Sequence, residues 1–171
     1  MSNAEQIVNR VAKSPLRVID LEDFYPSGSR ILFDIKDWLY EGFVLREKDF
    51  RNQITSHNWL QYQDAYIALT CSSDAIVPIW AYMLITLELE PFAKSVIIGD
   101  LEALETRIFQ SIIADLDIDA YKNAPVIIKG CSNKPIPKSA YLMLTNRLKP
   151  FVKSIMYGEA CSAVPLFKKK A

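Results

Sequence analysis

Histidine occurs once in this chain of 171 residues, glycine five times and cysteine three times, and 20 basic side chains cancel 20 acidic ones. Each scarcity removes a class of function. A single histidine, His57, leaves no HExxH pair for a zinc hydrolase. The five scattered glycines form neither GxGxxG nor a phosphate-binding loop, and no GxSxG elbow is present. Zero net charge gives no field to attract nucleic acid or an anionic membrane, so neither is expected as a partner. No apolar run approaches the roughly 18 residues of a membrane-spanning helix. The opening "MSNAEQIVNRVAKSP" has no secretory h-region. Three cysteines, an odd number, argue against a disulfide framework, and a reducing cytoplasm is the expected location.

What is present is ordinary globular material, 50% hydrophobic and 23% charged, enough for a single domain spanning residues 1–171. Residues 1–64 carry a helix at 4–13, strands at 16–21, 31–35 and 41–45, and a helix at 46–54. From residue 65 short apolar runs alternate with helical periodicity: a strand at 65–70, a helix at 79–89 that is apolar nearly all round and should be well buried, and a strand at 94–100. A connecting amphipathic helix lies within 101–124, with Leu104, Ile108, Ile112 and Leu116 spaced by four. A strand at 125–130, a helix at 138–149 and a strand at 153–158 follow. Residues 161–171 read as a tail, with Lys168, Lys169 and Lys170 frayed into solvent.

The segments 81–100 and 140–159, "AYMLITLELEPFAKSVIIGD" and "AYLMLTNRLKPFVKSIMYGE", align without a gap and share nine identical residues, from Ala81/Ala140 to Gly99/Gly158. The expectation is therefore an α/β fold: a mainly parallel sheet with flanking helices, its C-terminal half a tandem βαβ repeat over 65–100 and 125–160. Paired about a pseudo-twofold, the two units would set their first strands side by side at the centre of one sheet.

Each cysteine is followed by serine and, a few residues on, by proline: "CSSDAIVP", "CSNKPIP" and "CSAVP". Cys71 and Cys131 occupy matching places just past a strand, where open α/β sheets hold ligands. Cys161 follows the last strand, and its counterpart in the first copy is Glu102. Three readings stay open. Cys71, Cys131 and Cys161 could together hold zinc or an iron–sulfur cluster, since thiolates are soft ligands, although no CxxC pair exists and a closed zinc site wants a fourth ligand. They could serve thiol chemistry, with Lys134 lowering a nearby thiol. They could be small fillers at tight junctions, with each serine capping the turn or helix that follows. The polar residues expected around a cleft between these loops are Ser72, Asp74, Ser132, Lys134, Glu159 and Ser162, with Asp74 and Lys134 opposite in charge. The acidic set Asp20, Glu22, Asp23, Asp34 and Asp37 reads as a solvated face in preference to a hard-cation site.

The ordered runs "VIDLEDFYP", "FDIKDWLYEG", "LREKDFR", "CSSDAIVPIWAYM", "IKGC" and "KSIMYGEACSAVP" resemble an uncharacterised bacterial family known only as a domain of unknown function. The resemblance covers nearly the whole chain. It implies gene linkage to SUF iron–sulfur assembly. That in turn implies an accessory role in iron–sulfur or sulfur handling, with a protein partner in that assembly and Cys71, Cys131 and Cys161 as the residues concerned. A thiol-dependent enzyme is the alternative, and a non-catalytic module that homodimerises or binds a partner is a third.

Overall fold

The computed structural model describes residues 15–130 and 133–170. The expected helix at 4–13, and Cys131 and Ser132, lie outside the described residues. The fold is α/β with parallel strands and flanking helices, but the strands form two sheets and the chain two compact units. One unit holds the described residues up to Tyr25 and those from Phe109 onward; the other is Pro26–Ile108.

In the Pro26–Ile108 unit, β2 (Arg30–Asp34), β3 (Tyr66–Thr70) and β4 (Ser95–Ile98) form a parallel sheet with β3 at its centre. Helix α1 (Glu47–Ser56) turns Phe50 and Ile54 inward and carries Glu47 and Asp49 in its first turn, where they favour the helix dipole. Helix α2 (Ile79–Leu89) crosses from β3 to β4, as a parallel pair requires. Phe33, Ile35, Phe50, Ile67, Leu69, Ile85 and Leu89 form the core.

In the other unit, β1 (Arg17–Ile19), β5 (Pro125–Ile128) and β6 (Ser154–Tyr157) are parallel, and β7 (Val164–Lys168) closes the far edge antiparallel to β6. Helix α4 (Lys138–Leu148) joins β5 to β6. Its core includes Ile19, Phe109, Val126, Leu144 and Ile155. Helix α3 (Leu101–Asp115) contributes residues to both units. In the pairs Tyr66↔Ser95 and Pro125↔Ser154, the two serines lie at matching places in the aligned segments.

Four expectations are corrected. β3 and β5 do not pair: each already has a strand on both sides, and β1 and β2 occupy the edges expected to meet. Residues 41–45 are a tight loop instead of a strand. Glu41 and Gly42 take positive φ, and Tyr40 and Val44 bond each other's backbone across the turn. The tail forms β7, with Pro165 tolerated because the strand is an edge. Helix α2 is not buried all round. Ala81, Ile85 and Leu89 face the core, whereas Ile79, Met83 and Leu87 on the opposite side are 64%, 59% and 68% exposed.

Candidate functional site

Parallel strands end together, so side chains following β2 and β3 share one edge of their sheet. Asp34 and Thr70 are the last paired residues there, and Cys71 comes next. The Asp34 carboxylate caps the 3₁₀ turn Ile35–Trp38 by accepting from Lys36 N–H at 3.0 Å. The same oxygen accepts Ser72 N–H at 3.0 Å. Burial pulls the Asp34 carboxyl upward, but the bonds from Ser72 and Lys36 outweigh it and hold the group below its ordinary 3.8.

Asp34 thereby anchors the Cys71 loop. The thiol is free and half-buried, with its sulfur 3.3 Å from Ser73 Oγ. Tyr82, one turn into α2, completes the group. Burial pushes its phenol up, and Cys71 and Asp34 add to the effect. Ser72 does not cap α2, nor does a serine cap α4: Pro78 and Pro137 stand at those positions without a side-chain bond. Asp74 is exposed.

At the corresponding edge of the other sheet, Asp20 caps the 3₁₀ turn Leu21–Phe24 through Glu22 N–H. Its second oxygen meets Lys129 Nζ at 3.0 Å. Burial again pulls this carboxyl upward, and the bonds from Lys129 and Glu22 hold it below 3.8. The Asp20 bond raises Lys129 in return. The loop after β5 is tied down by Glu22, whose carboxylate accepts Asn133 N–H and whose carbonyl accepts Lys134 Nζ at 3.0 Å. Lys134 is thus engaged within its own unit, and its ammonium also sits over the Tyr25 ring.

Gly130 has no room for a side chain, since a Cβ there would stand 2.5 Å from the Tyr157 ring. Tyr157 donates to the Gly130 carbonyl at 3.2 Å and meets Tyr141 edge-on. These two rings, with Ile128 and Leu142, line an apolar cleft of about 200 Å³, which Cys161, Ser162 and Glu159 do not line. Cys161 is a free, exposed thiol with Ser162 Oγ at 4.0 Å, in a loop closed by Ser162 N–H on the Glu159 carbonyl.

The described cysteines therefore fall in different units, Cys71 in one and Cys161 in the other. Among the described residues no three His, Cys, Asp or Glu side chains gather to hold a metal. None of the described helices is long and apolar enough to cross a membrane. The acidic set is more than a solvated face, because Asp20 and Asp34 hold loop backbones. The spacing Asp20–Asp23 and Asp34–Asp37 after a strand was the available signal: an aspartate ending a strand and opening a short turn is cap chemistry. The sequence marked Tyr82 only as one of the nine identities of the aligned segments, paired with Tyr141, and nothing marked Tyr157.

His57 belongs to neither strand-end group. Its Nε2 contacts the Tyr62 hydroxyl at 2.8 Å and the Gln61 amide at 3.1 Å, among the rings of Phe33, Trp38 and Trp59. Burial holds the imidazole below its ordinary 6.5. The unfolded chain then binds the proton more readily than the fold does. Stability from the neutral ring is full above pH 6.5 and is lost as pH falls through the lower folded value. The expected result is an unfolding midpoint that drops as pH is lowered from 6.5, with a shallower drop in His57→Gln. Equal slopes for the two proteins would remove His57 from the acid response.

The model of a family described as protein of unknown function (DUF2480) matches residues 5–169, and the chain belongs to that family. No curated protein and no solved structure gives a significant match.

Proposed function

We propose that the chain is an accessory protein in iron–sulfur or sulfur handling and works through its free thiols. In this reading Cys71, Cys131 and Cys161 receive a soft metal, a cluster or a sulfur atom. Ser72, Asp74, Ser132, Lys134, Glu159 and Ser162 supply the polar surroundings. The observation that carries it is the exposure of the described thiols. Both are free, Cys71 is half-buried and Cys161 is exposed, and each follows the C-terminal end of a parallel strand. A cysteine kept only as a filler is ordinarily buried. A thiol that reaches solvent is available as a soft ligand or as a nucleophile.

The test is competition for the thiols. Alkylation of each cysteine is followed by mass spectrometry, on anaerobically prepared protein, with and without stoichiometric Fe²⁺ or Zn²⁺. The reading expects metal to slow alkylation of several cysteines together by tenfold or more. One fast thiol that metal does not protect would instead favour the thiol-dependent enzyme. Slow alkylation of all three, with no metal effect, would reduce them to structural residues.

A partner-binding module is the second reading, supported by the α2 stripe. Ile79, Met83 and Leu87 form an apolar row on a surface helix, the kind of feature that protein interfaces use.

A further inference from the structure

An open strand edge invites another strand, and proteins blunt such edges with short strands, charges, prolines, bulges or a covering element. Among the described residues, three of the four sheet edges are blunted. β1 is only three residues long and begins with Arg17. β2 is bounded by the charges of Arg30 and Asp34. β7 carries Pro165 and Lys168, and the ladder it makes with β6 is bulged at Ile155/Met156.

The fourth edge, β4, is also short, at four residues, but carries none of the other devices. Its sequence is Ser-Val-Ile-Ile, without charge, proline or bulge, and Ile98 is 56% exposed. The strand in the matching position of the other sheet is β6, which follows α4 as β4 follows α2. The outer edge of β6 is covered by an antiparallel strand, β7. Among the described residues no strand pairs with the outer edge of β4.

The flanking charges say what fits there. Lys94 immediately precedes β4 and Asp100 closely follows it, and both are exposed. The Lys94 ammonium donates to the Ser27 carbonyl of its own unit at 2.9 Å, a single surface bond that the pairing would exchange for the carboxylate. Antiparallel pairing of β4 with a second β4 brings the positive end of each strand to the negative end of the other. The pair is isologous, so the contact forms twice. We propose that β4 is a homodimer edge. Two copies of the chain pair β4 to β4 antiparallel, joining their three-stranded sheets into one, with Lys94 of each copy facing Asp100 of the other. This surface is separate from the thiols and does not depend on the function proposed above.

Sedimentation analysis of the full chain tests it. The wild-type protein should be dimeric at tens of micromolar. Lys94→Glu and Asp100→Lys should each weaken dimerisation about tenfold, because like charges then oppose each other across the strands. An equimolar mixture of the two variants should recover wild-type affinity, since a heterodimer restores opposite charges at both ends. Asp100 Oδ1 also caps α3 by accepting Ala103 N–H at 2.7 Å. Asp100→Asn, which can keep that cap while losing the charge, should still weaken dimerisation. A monomeric wild type overturns the proposal, whether or not it captures an extended peptide along β4. So does a dimer whose affinity ignores these variants, or a mixture that fails to recover.

Discussion

Arg30→Met is expected to lower the unfolding free energy of the Pro26–Ile108 unit by about 3–5 kcal/mol, the usual cost of orphaning one member of a buried ion pair. Arg30 Nε donates to Glu105 Oε1 at 2.7 Å, and the two side chains are only 13% and 10% exposed. Arg30 Nη1 also donates to the carbonyls of Pro26 and Gly28 at 2.8 and 2.7 Å. Its guanidinium lies over the Tyr66 ring. One side chain thus fastens the chain entering β2 to the first turns of α3. Removing it leaves the Glu105 carboxylate in a site that water hardly reaches. Glu105→Leu should cost less, because those two carbonyls still receive the guanidinium. The double variant Arg30→Met/Glu105→Leu should fall between Arg30→Met and the wild type: an apolar pair removes the desolvation penalty of the lone carboxylate, but the Pro26 and Gly28 carbonyls still lose the guanidinium. All three tryptophans, Trp38, Trp59 and Trp80, lie in this unit, so denaturation followed by tryptophan fluorescence reads it directly. Single variants within 1 kcal/mol of the wild type would mean that the pair is effectively solvated.

Gly28→Ala should cost about 3 kcal/mol or more by the same measurement. Gly28 holds φ +128°, a conformation that L residues rarely adopt, and a Cβ there would stand 2.7 Å from the Asp64 carbonyl oxygen. Strained backbone of this kind costs about 1–3 kcal/mol by itself, and a backbone oxygen cannot swing aside as a side chain can. The loop it distorts is also the one whose carbonyls receive Arg30. Gly42 is the control. Its φ is +75°, but the nearest neighbour to an added Cβ is the flexible Lys36 side chain at 3.7 Å. Gly42→Ala should therefore cost only the conformational part, about 1–2 kcal/mol. Equal losses at the two positions would mean that the Asp64 carbonyl imposes nothing.

Most elements were legible where periodicity is strong. β3 and β4 are short apolar runs bounded by turn residues, and α3 repeats its apolar positions at four. The division into two sheets was not legible. Each central strand takes its outer neighbour from the N-terminal region, and a parallel pairing such as Arg17↔Val126 leaves no local trace in either segment. The Phe43-Val44-Leu45 run resembled a strand because it is apolar, while the turn at Glu41-Gly42 decided its conformation. β7 was hidden by Pro165 and its lysines, which would be disqualifying in a central strand and are acceptable at an edge. At the strand ends, the Cys-Ser pattern pointed to the loop after β3 but not to the aspartate that fastens it. Asp34 lies far away in sequence and becomes a neighbour of Ser72 only through the β2–β3 pairing.

The proposed role of the thiols is tested most directly by metal and acid-labile sulfide content after anaerobic cluster reconstitution. The wild-type protein is measured beside Cys71→Ser, Cys131→Ser and Cys161→Ser. The account predicts stoichiometric iron or zinc, or bound sulfur, that each substitution reduces. Wild-type protein free of metal and sulfide after reconstitution, with the three variants indistinguishable from it, would contradict the account.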